Sequence, residues 1–389
     1  MNNVKNRFGF WLGVLSSVLM AACHAENSST GEQSLKAENE SVAVLQPYKV
    51  NKMSELNEPW AIILLPDQRL LISEKAGALL IFNPQTQQKI AVAGVPKVAY
   101  GGQGGLGDVV LHPDFQQNHL LYLSYAEAGQ GGYGAVVIQA KLDDLASASP
   151  RLSQFKPIWQ QIPKVSGQGH YAHRLLFDAA GKLWISSGER QKFQPAQDLQ
   201  SNLGKIIRLN EDGSAVQDNP FRTQGQIAAQ VWSLGHRNPL GMAFDRHGQL
   251  WVAEMGPKGG DELNLIRKAA NYGYPIVSNG DHYSGRDIPD HATRPEFQAP
   301  ELSWTPVISP SCLMFYRGTL FSKWSHKALI GGLSSQAIIV VDTETRPVQE
   351  IQRLNMKQRI RGLVEAQDGT IWGIEDGKNA QLFQLTAIR

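Results

Sequence analysis

One pattern recurs along this chain: a short apolar run, a tight turn rich in Asp, Pro or Gly, and a second short apolar run. It is clearest at 242–253, where two apolar segments flank Asp245-Arg-His-Gly248. Runs of this length joined by such turns are typical of β-hairpins. Copies of the pattern lie at 61–73, 107–124, 174–186, 242–253, 313–332 (degenerate) and 360–374.

Six hairpins with a common turn, at irregular spacings of roughly 45 to 75 residues, are expected of propeller blades with variable loops. A β-sandwich would show the same local pattern but not six hairpins with one turn in common. Long stretches with helical periodicity are scarce. The sequence therefore predicts an all-β fold, a six-bladed β-propeller over residues 45–389. The 42% hydrophobic content and nine Trp supply a large core.

The N-terminus has the composition of an export signal. Lys5 and Arg7 precede an apolar run at 8–22 that is short for a membrane span, and Cys23 follows at once. Residues 19–23 resemble a bacterial lipobox. We interpret 1–22 as a signal peptide and 23–44 as a polar tether, lipid-anchored at Cys23 to the outer membrane on its periplasmic side. The alternative is ordinary signal cleavage, with Cys23 lost or incidental. With Cys23 lipidated, Cys312 has no disulfide partner.

Charge argues against some partners. The 37 basic residues nearly balance the 35 acidic ones, so nothing indicates a nucleic acid or an anionic membrane surface. Any membrane contact is expected only through the N-terminal anchor.

A candidate site lies at 235–262. A polar turn, Gly235-His-Arg-Asn-Pro239, follows one apolar run, and a glycine-rich loop with acidic ends follows the 242–253 hairpin at 254–262. Carboxylates and backbone carbonyls of such a loop are ligands that calcium prefers. A plain turn is the alternative.

Several motifs in a fixed order resemble a known family. They are Gly101-Gly-Gln-Gly-Gly-Leu106, His170-x-x-x-Arg174, Gly204-Lys-Ile-Ile-Arg-Leu-Asn-Glu-Asp-Gly213, the 235–239 turn, the 256–275 segment and Arg359-Ile-Arg361. None is specific alone. Together they resemble the soluble pyrroloquinoline-quinone (PQQ) dehydrogenases of the glucose/sorbosone dehydrogenase family, more closely its aldose sugar dehydrogenase branch. The resemblance covers residues 59–385.

The resemblance implies that His170 is a general base, which would take the proton from a sugar hydroxyl while the hydride leaves for the quinone. Glu189 follows the hairpin that His170 precedes, so both lie at one end of a blade. We expect Glu189 to hold the imidazole and favour its charged form. The alternative is that His170 is an ordinary polar loop residue.

Cofactor contacts are also implied by the resemblance. The three PQQ carboxylates would be bound by arginine forks, and Arg237, nearest the quinone, would also stabilise charge on its oxygen. The residues implied to bind PQQ are Gln103, Arg237, Asn238, Arg359 and Arg361. Each arginine alone could instead be solvated or paired with an Asp.

Calcium is implied twice. The backbone carbonyls of Gly256 and Pro257 would hold an ion that polarises the quinone. Glu262 and the main-chain oxygen of Tyr272 would hold a second, structural calcium.

Three positions depart from the family pattern. Ser334 stands where a Lys commonly reaches the cofactor, Leu240 where a Gln is often found, and His173 where a small residue is common. Losing one ammonium from a tri-anionic site removes a contact worth about 1.5–3 kcal/mol.

The sequence thus favours PQQ- and calcium-dependent oxidation of aldose sugars to lactones, with electrons passed to an external acceptor. One alternative is a non-catalytic propeller of the same ancestry that binds a carbohydrate or a protein, which Ser334 favours. A calcium-dependent lactonase is the other. No Ser-His-Asp arrangement is recognisable in the sequence to support a serine hydrolase.

Overall fold

Six four-stranded antiparallel sheets follow one another in the computed structural model, which describes residues 48–388. The strands in chain order are β1 (Tyr48–Leu56), β2 (Pro59–Leu64), β3 (Leu70–Glu74), β4 (Ala78–Phe82), β5 (Lys89–Ala91), β6 (Leu106–Leu111), β7 (Leu120–Gly129), β8 (Gly132–Asp143), β9 (Arg151–Gln160), β10 (Ala172–Phe177), β11 (Leu183–Ser187), β12 (Lys205–Leu209), β13 (Val231–Leu234), β14 (Pro239–Phe244), β15 (Leu250–Glu254), β16 (Lys258–Gly259), β17 (Asp261–Leu265), β18 (Gly280–Asp281), β19 (Leu302–Trp304), β20 (Pro310–Phe315), β21 (Ala328–Gly332), β22 (Ala337–Asp342), β23 (Gln349–Asn355), β24 (Ile360–Glu365), β25 (Ile371–Glu375) and β26 (Ala380–Ala387). Within residues 48–388 the helical elements are α1 (Phe115–Asn118) and 3-10 turns at Gln194–Gln197, Ala228–Gln230, His291–Thr293 and Ser322–Trp324.

The sheets are the blades of a closed propeller. Blades 1, 2, 3 and 5 are β2–β5, β6–β9, β10–β13 and β20–β23, and blade 4 is β14, β15, β17 and β19. Blade 6 combines β24, β25 and β26 with β1, which pairs antiparallel with β26. The two ends of the described chain thus share one sheet, which leaves no open edge between first and last blades. A small extra ladder, β16 with β18, stands above blade 4.

The predicted six-bladed β-propeller is confirmed, and each sequence repeat is the inner hairpin of one blade. The first strands of the blades contact one another in a ring around the axis. Their apolar side chains pack between neighbouring blades; Trp184 and Ile206 of blade 3, for example, share a cluster with Met242 and Val252 of blade 4. Burial on both faces explains why the inner strands read as continuous apolar runs.

Every blade has a register shift at the start of its inner strand. The shifts lie at Pro59/Ala61, Leu106/Val109, Ala172/Leu175, Pro239/Gly241, Pro310/Cys312 and Ile360/Gly362. Such bulges leave a residue unpaired and redirect its side chain. The fold therefore supplies, at one end of the axis, a ring of residues free of the sheet ladder.

Arg174 lies in the middle of that ring and contacts all five other blades. Its guanidinium donates to Leu240 O (2.7 Å), Ser311 O (2.6 Å), Arg361 O (3.4 Å) and Asp108 Oδ1 (3.4 Å), and lies 3.9 Å from the ring centroid of Trp60. Because these partners are bulge residues of different blades, Arg174 joins the inner strands around the axis. Its burial is tolerated because carbonyls and a carboxylate satisfy its N–H groups.

The signal peptide at 1–22 and the tether with Cys23 lie outside the described residues. Within 48–388 there is no helix long and apolar enough to cross a membrane. Cys312 is a buried free thiol.

Candidate active site

Three adjoining cavities open at the end of the axis where the inner strands begin. The central cavity, about 320 Å³, contains Arg359, Arg361 and Gln103 in its wall. The loop cavity, about 540 Å³, shares Gln103, Met255 and Ser309 with it. The outer cavity, about 250 Å³, shares His170, Arg237, Pro257 and Tyr283 with the loop cavity. The structure thus brings His170, Arg237, Arg359 and Arg361, from different parts of the chain, to one face.

His170 and Glu189 form a buried pair. Nδ1 of His170 lies 2.5 Å from Oε1 of Glu189, whose side chain has no exposed surface. Glu189 also accepts backbone N–H groups of Gln191, Lys192 and Phe193 at 2.9, 2.6 and 2.7 Å. The carboxylate of Glu189 thus holds both the imidazole of His170 and the loop that follows Glu189. Nε2 of His170 is left for another partner.

Opposing influences set the pKa of His170. Burial is the largest and lowers the pKa; the hydrogen bond that His170 donates to Glu189 raises it, and the charge of Arg237 lowers it again. The net pKa lies below the usual value, so the neutral imidazole is favoured. Glu189 does favour the charged form, as expected, but burial outweighs it. A neutral imidazole is the form a general base needs.

The backbone around this pair is strained. His170, Ala172, His173, Arg190, Gln191 and Phe193 all have positive φ, between 47° and 62°. Arg190 is buried and donates to Gly169 O (2.8 Å) and Gly167 O (2.6 Å), and its guanidinium lies over Tyr171 at 3.7 Å. Non-glycine residues persist in this region only where surrounding contacts hold them. The contacts here hold the loop that presents His170.

Arg237 lines both the loop cavity and the outer cavity. Its Nη1 donates to Met255 O (3.0 Å) and Gly256 O (2.6 Å), and its backbone N–H to Glu254 Oε1 (2.9 Å). Its Nε is buried without a hydrogen-bond partner among residues 48–388. The residue nevertheless lines both cavities, so its guanidinium group is suited to an oxygen of a bound ligand there.

Asn238 is placed differently from its neighbour. It is fully buried and does not line any of the three cavities. Its Nδ2 approaches Met255 Sδ at 3.7 Å, and its Oδ1 has no partner in the described part of the chain. Gln103 does line two of the cavities, and its Oε1 accepts the backbone N–H of His170 at 2.8 Å.

Arg359 and Arg361 share one carboxylate in the central cavity. Asp376 accepts from Arg359 Nε (2.8 Å) and from Arg361 Nε and Nη2 (2.8 and 2.6 Å). Burial would raise the pKa of Asp376, but the two arginines lower it below its usual range. Two guanidinium groups against one carboxylate leave a positive charge and spare N–H donors, which suits a ligand carrying carboxylates.

Lys75 was not predicted from the sequence. It lines the central cavity and donates to Gly102 O at 3.0 Å, with Glu58 Oε1 at 3.7 Å. It follows the inner hairpin of blade 1, as Glu189 nearly follows that of blade 3. The hairpin rule that found Glu189 could therefore have found it.

The residues expected to bind calcium occupy two places. Gly256 and Pro257 line the loop cavity, and Gly256 O already accepts from Arg237. Glu262 lies deeper. Burial, with the nearby charge of Glu254, raises the pKa of Glu262 to about 8. The main-chain oxygen of Tyr272 lies 3.1 Å from His291 Nε2.

Oxygen donors at both places fit a hard cation, and the crowded carboxyls of Glu254 and Glu262 suit a positive ion between them. Within residues 48–388 no group of three or more His, Cys, Asp or Glu side chains is arranged to hold a metal. Such sites would depend on backbone carbonyls.

A Ser–His–Glu chain is present although the sequence did not reveal it. Ser233 Oγ lies 2.9 Å from His236 Nε2, and His236 Nδ1 lies 2.9 Å from Glu254 Oε2. Ser233 and His236 are fully buried and line none of the three cavities. A hydroxyl that no substrate can reach is not a nucleophile. The arrangement could not be recognised in the sequence, because its members converge only in the fold.

Ser334 is exposed at the rim, and its Oγ donates to Val307 O at 3.2 Å. Leu240 and His173 line the central cavity.

Comparisons with known proteins show similarity in sequence and in fold. The family described as Glucose / Sorbosone dehydrogenase matches residues 56–384. Aldose sugar dehydrogenase YliI of Escherichia coli (strain K12) is 36% identical over 341 residues, which cover 85% of this chain and 91% of that protein. The crystal structure of the soluble aldose sugar dehydrogenase from Escherichia coli, in the apo-form, has a TM-score of 0.82 at 35% identity, covering 88% of this chain and 100% of that one. The PQQ-bound form of an aldose sugar dehydrogenase from Streptomyces coelicolor has a TM-score of 0.72 at 25% identity, covering 88% and 98%.

Proposed function

Because this chain belongs to the glucose/sorbosone dehydrogenase family, we propose that it is a PQQ- and calcium-dependent dehydrogenase that oxidises aldose sugars to lactones. The observation that carries the proposal is the His170–Glu189 pair beside Arg237, at a cavity that adjoins the one lined by Arg359, Arg361 and Lys75. Electrons would leave to an external acceptor. The PQQ-bound neighbour from Streptomyces coelicolor supports the cofactor.

The chemistry divides between base and cations. When bound, PQQ supplies the quinone that accepts a hydride, with calcium polarising its carbonyl. Nε2 of His170 takes the proton of the sugar's C1 hydroxyl, because Nδ1 is held by Glu189. Glu189 stabilises the imidazolium that forms. Arg237, which lines the loop and outer cavities, would donate to oxygen where negative charge develops.

Gln103, Arg237, Arg359, Arg361 and Lys75 would hold the cofactor. Asn238 would act indirectly, since it is buried behind Arg237. Gly256 and Pro257 would offer carbonyls to the calcium at the quinone, and Glu262 and Tyr272 would hold the structural calcium.

The alternatives fare differently. Ser233 is fully buried, which disfavours a hydrolase based on the Ser–His–Glu chain. Ser334 favours a non-catalytic binding propeller, since an ammonium common in the family is missing. Lys75 weighs against a non-catalytic propeller, because its ammonium group lines the central cavity and supplies a positive charge from another blade.

The experiment adds PQQ and calcium to purified apoprotein and follows the cofactor spectrum and dye reduction with a panel of aldoses. Calcium omitted, and a chelator added, are the controls. We expect a spectral change on binding and aldose-dependent dye reduction. If the reconstituted protein oxidises none of a broad aldose panel, the enzyme proposal fails for these substrates.

The location of the protein is a proposal from the sequence alone. We expect export to the periplasm and attachment to the outer membrane through Cys23. In membrane fractionation, Cys23→Ser should move the protein into the soluble periplasm. A variant that fractionates like wild type, with no lipid seen by mass spectrometry, would contradict lipidation.

A further inference from the structure

His173 lies in the wall of the central cavity. Its ring stacks on Trp60, with centroids 4.8 Å apart and an interplanar angle of 20°, and meets the edge of Tyr171 at 6.1 Å. The residue is 1% exposed and shares the cavity with Arg359 and Arg361. Packing therefore fixes the ring beside the proposed cofactor site.

Counting protons assigns its tautomer. Ser124 Oγ lies 2.8 Å from three groups: the backbone N–H of Asp108, the carbonyl oxygen of His173 and Nδ1 of His173. The N–H of Asp108 can only donate, so it takes one lone pair. The carbonyl can only accept, so it takes the single hydroxyl proton. Nδ1 must then donate to the remaining lone pair.

Nε2 of His173 is therefore an unprotonated acceptor. Within residues 48–388 it has no hydrogen-bond partner, although the residue is almost fully buried. Burial, with the charges of Arg174 and Arg190, lowers the pKa of His173 to about 3. The ring thus stays neutral and Nε2 keeps its lone pair at any ordinary pH.

The chain makes room for this imidazole. A Cβ on Gly107 would lie 1.9 Å from Cε1 of His173. Gly107 is not among the glycines with positive φ, so its backbone does not require glycine. Glycine is needed at 107 because a side chain there would clash with the imidazole of His173, not because of its backbone conformation. The two residues, on blades 2 and 3, therefore form one built feature of the cavity.

The charged groups of this cavity are the donors Arg359, Arg361 and Lys75 and two carboxylates, Asp376 and Glu58. Both carboxylates already pair with those cations, Asp376 with the two arginines and Glu58 with Lys75. The cations suit carboxylates and quinone oxygens. Nε2 of His173 suits only a donor, since a carboxylate there would face a lone pair. Ionised PQQ has carboxylates, quinone oxygens and a pyridine nitrogen, all acceptors, and a single N–H, on its pyrrole ring.

We propose that Nε2 of His173 accepts a hydrogen bond from the pyrrole N–H of PQQ and so fixes which end of the cofactor enters the central cavity. This inference rests on the proposed function. His173 would then be a cofactor-binding residue. The cations select for charge, and His173 selects for orientation.

The test compares two probes, PQQ and PQQ methylated on its pyrrole nitrogen. Each is titrated with calcium into the protein, and quenching of tryptophan fluorescence gives the dissociation constant. His173→Gly suits the backbone, because His173 has φ 54°. His173→Gln keeps an acceptor near the place of Nε2. Thermal melting checks that each variant is folded.

Wild type should bind PQQ about tenfold more tightly than the methylated probe, because the buried acceptor would lose its donor. His173→Gly should lose most of that preference, and His173→Gln should retain part of it. Equal binding of both probes by wild type, or an undiminished preference in His173→Gly, would overturn the inference while leaving the proposed function intact. If wild type binds neither probe, the proposed function falls and the inference with it.

Discussion

The two sides of the site are built on different principles. On the side of blades 3 and 4, Glu189 is wholly buried and accepts four N–H groups, and the adjoining backbone is strained. On the side of blades 6 and 1, Asp376 serves two arginines, one of them with 46% of its side chain exposed. The first side holds the imidazole of His170 in one orientation, and the second brings positive charges together.

That difference teaches where substitutions should act. A precisely oriented base contributes to the rate, because a reacting proton needs a defined partner. A cluster of cations contributes to affinity, because charge attracts an anionic ligand without strict geometry. Variants of the first side should therefore lower turnover, and variants of the second should weaken PQQ binding.

The largest effect is expected at His170. His170→Ala removes the base and should lower turnover with aldoses by about 10² to 10⁴. PQQ affinity should change little, because the cations hold the cofactor. Steady-state rates at saturating PQQ and fluorescence titration separate the two. Loss of PQQ binding that matches the loss of rate would show that His170 is part of the cofactor site rather than the base.

Glu189→Gln should lower turnover by about 10- to 100-fold, since the amide cannot stabilise the imidazolium. The sign of its pH effect follows from the structure. Burial already lowers the pKa of His170, so the acid limb of the wild-type rate should lie below pH 6.5. Glu189 opposes that shift, so its removal should move the limb to still lower pH. A limb that moves upward would contradict this arrangement.

Arg359→Ala tests the charged side. It should weaken PQQ binding about tenfold to a hundredfold and leave the rate at saturating PQQ nearly unchanged. Arg353→Ala is the matched control, because Arg353 also pairs with a carboxylate, that of Glu350 on the outer strand of blade 5, and is exposed to a similar extent. If both variants bind PQQ equally well, Arg359 does not contribute to the site.

The sequence predicted the fold because blade hairpins are local. Turn residues such as Asp245 and Gly248 mark a hairpin whatever the rest of the chain does. The same locality placed Glu189 beside His170, since both flank one hairpin. Contacts within a blade could therefore be inferred from spacing alone.

Contacts across the axis could not. Arg174 touches five other blades, and Gly107 makes room for His173, through bulges that spacing does not reveal. Burial could not be inferred for the same reason, so the sequence predicted the influence of Glu189 on the pKa of His170 but not the larger influence of burial. Asp376 and Lys75 joined the site only when the blades closed.

The stability of the protein should also depend on pH through His173, which lies on blade 3. His173 has a pKa near 3 in the fold and about 6.5 when unfolded, so the unfolded chain binds a proton that the folded chain refuses. Its contribution to stability is present above pH 6.5 and is lost as pH falls toward 3. Relative to wild type, His173→Gln should lose about 2 kcal/mol less unfolding free energy between pH 6.5 and 4.5. Denaturant titrations at the two pH values measure this, and parallel losses would refute it.

The smallest effect on PQQ affinity is expected when one more positive charge is added near Arg359 and Arg361. Ser334→Lys places an ammonium group at an exposed position beside Leu333, which lines the central cavity. Because exposed ion pairs contribute about 0.2–1 kcal/mol, PQQ binding should tighten only about two- to fivefold, and salt should abolish the gain. Gln85→Lys, on an exposed turn of blade 1, adds the same charge elsewhere and should change nothing.

A gain in both variants would mean that net charge alone attracts the cofactor, and no gain in either would mean that Ser334 does not face it. A further outcome decides between enzyme and binding propeller. If wild type oxidises no aldose but Ser334→Lys does, the His170–Glu189 pair is still functional, and the natural chain lacks only enough positive charge to bind the cofactor. A non-catalytic propeller would then be the better account of the natural chain, since one ammonium would separate it from an active dehydrogenase.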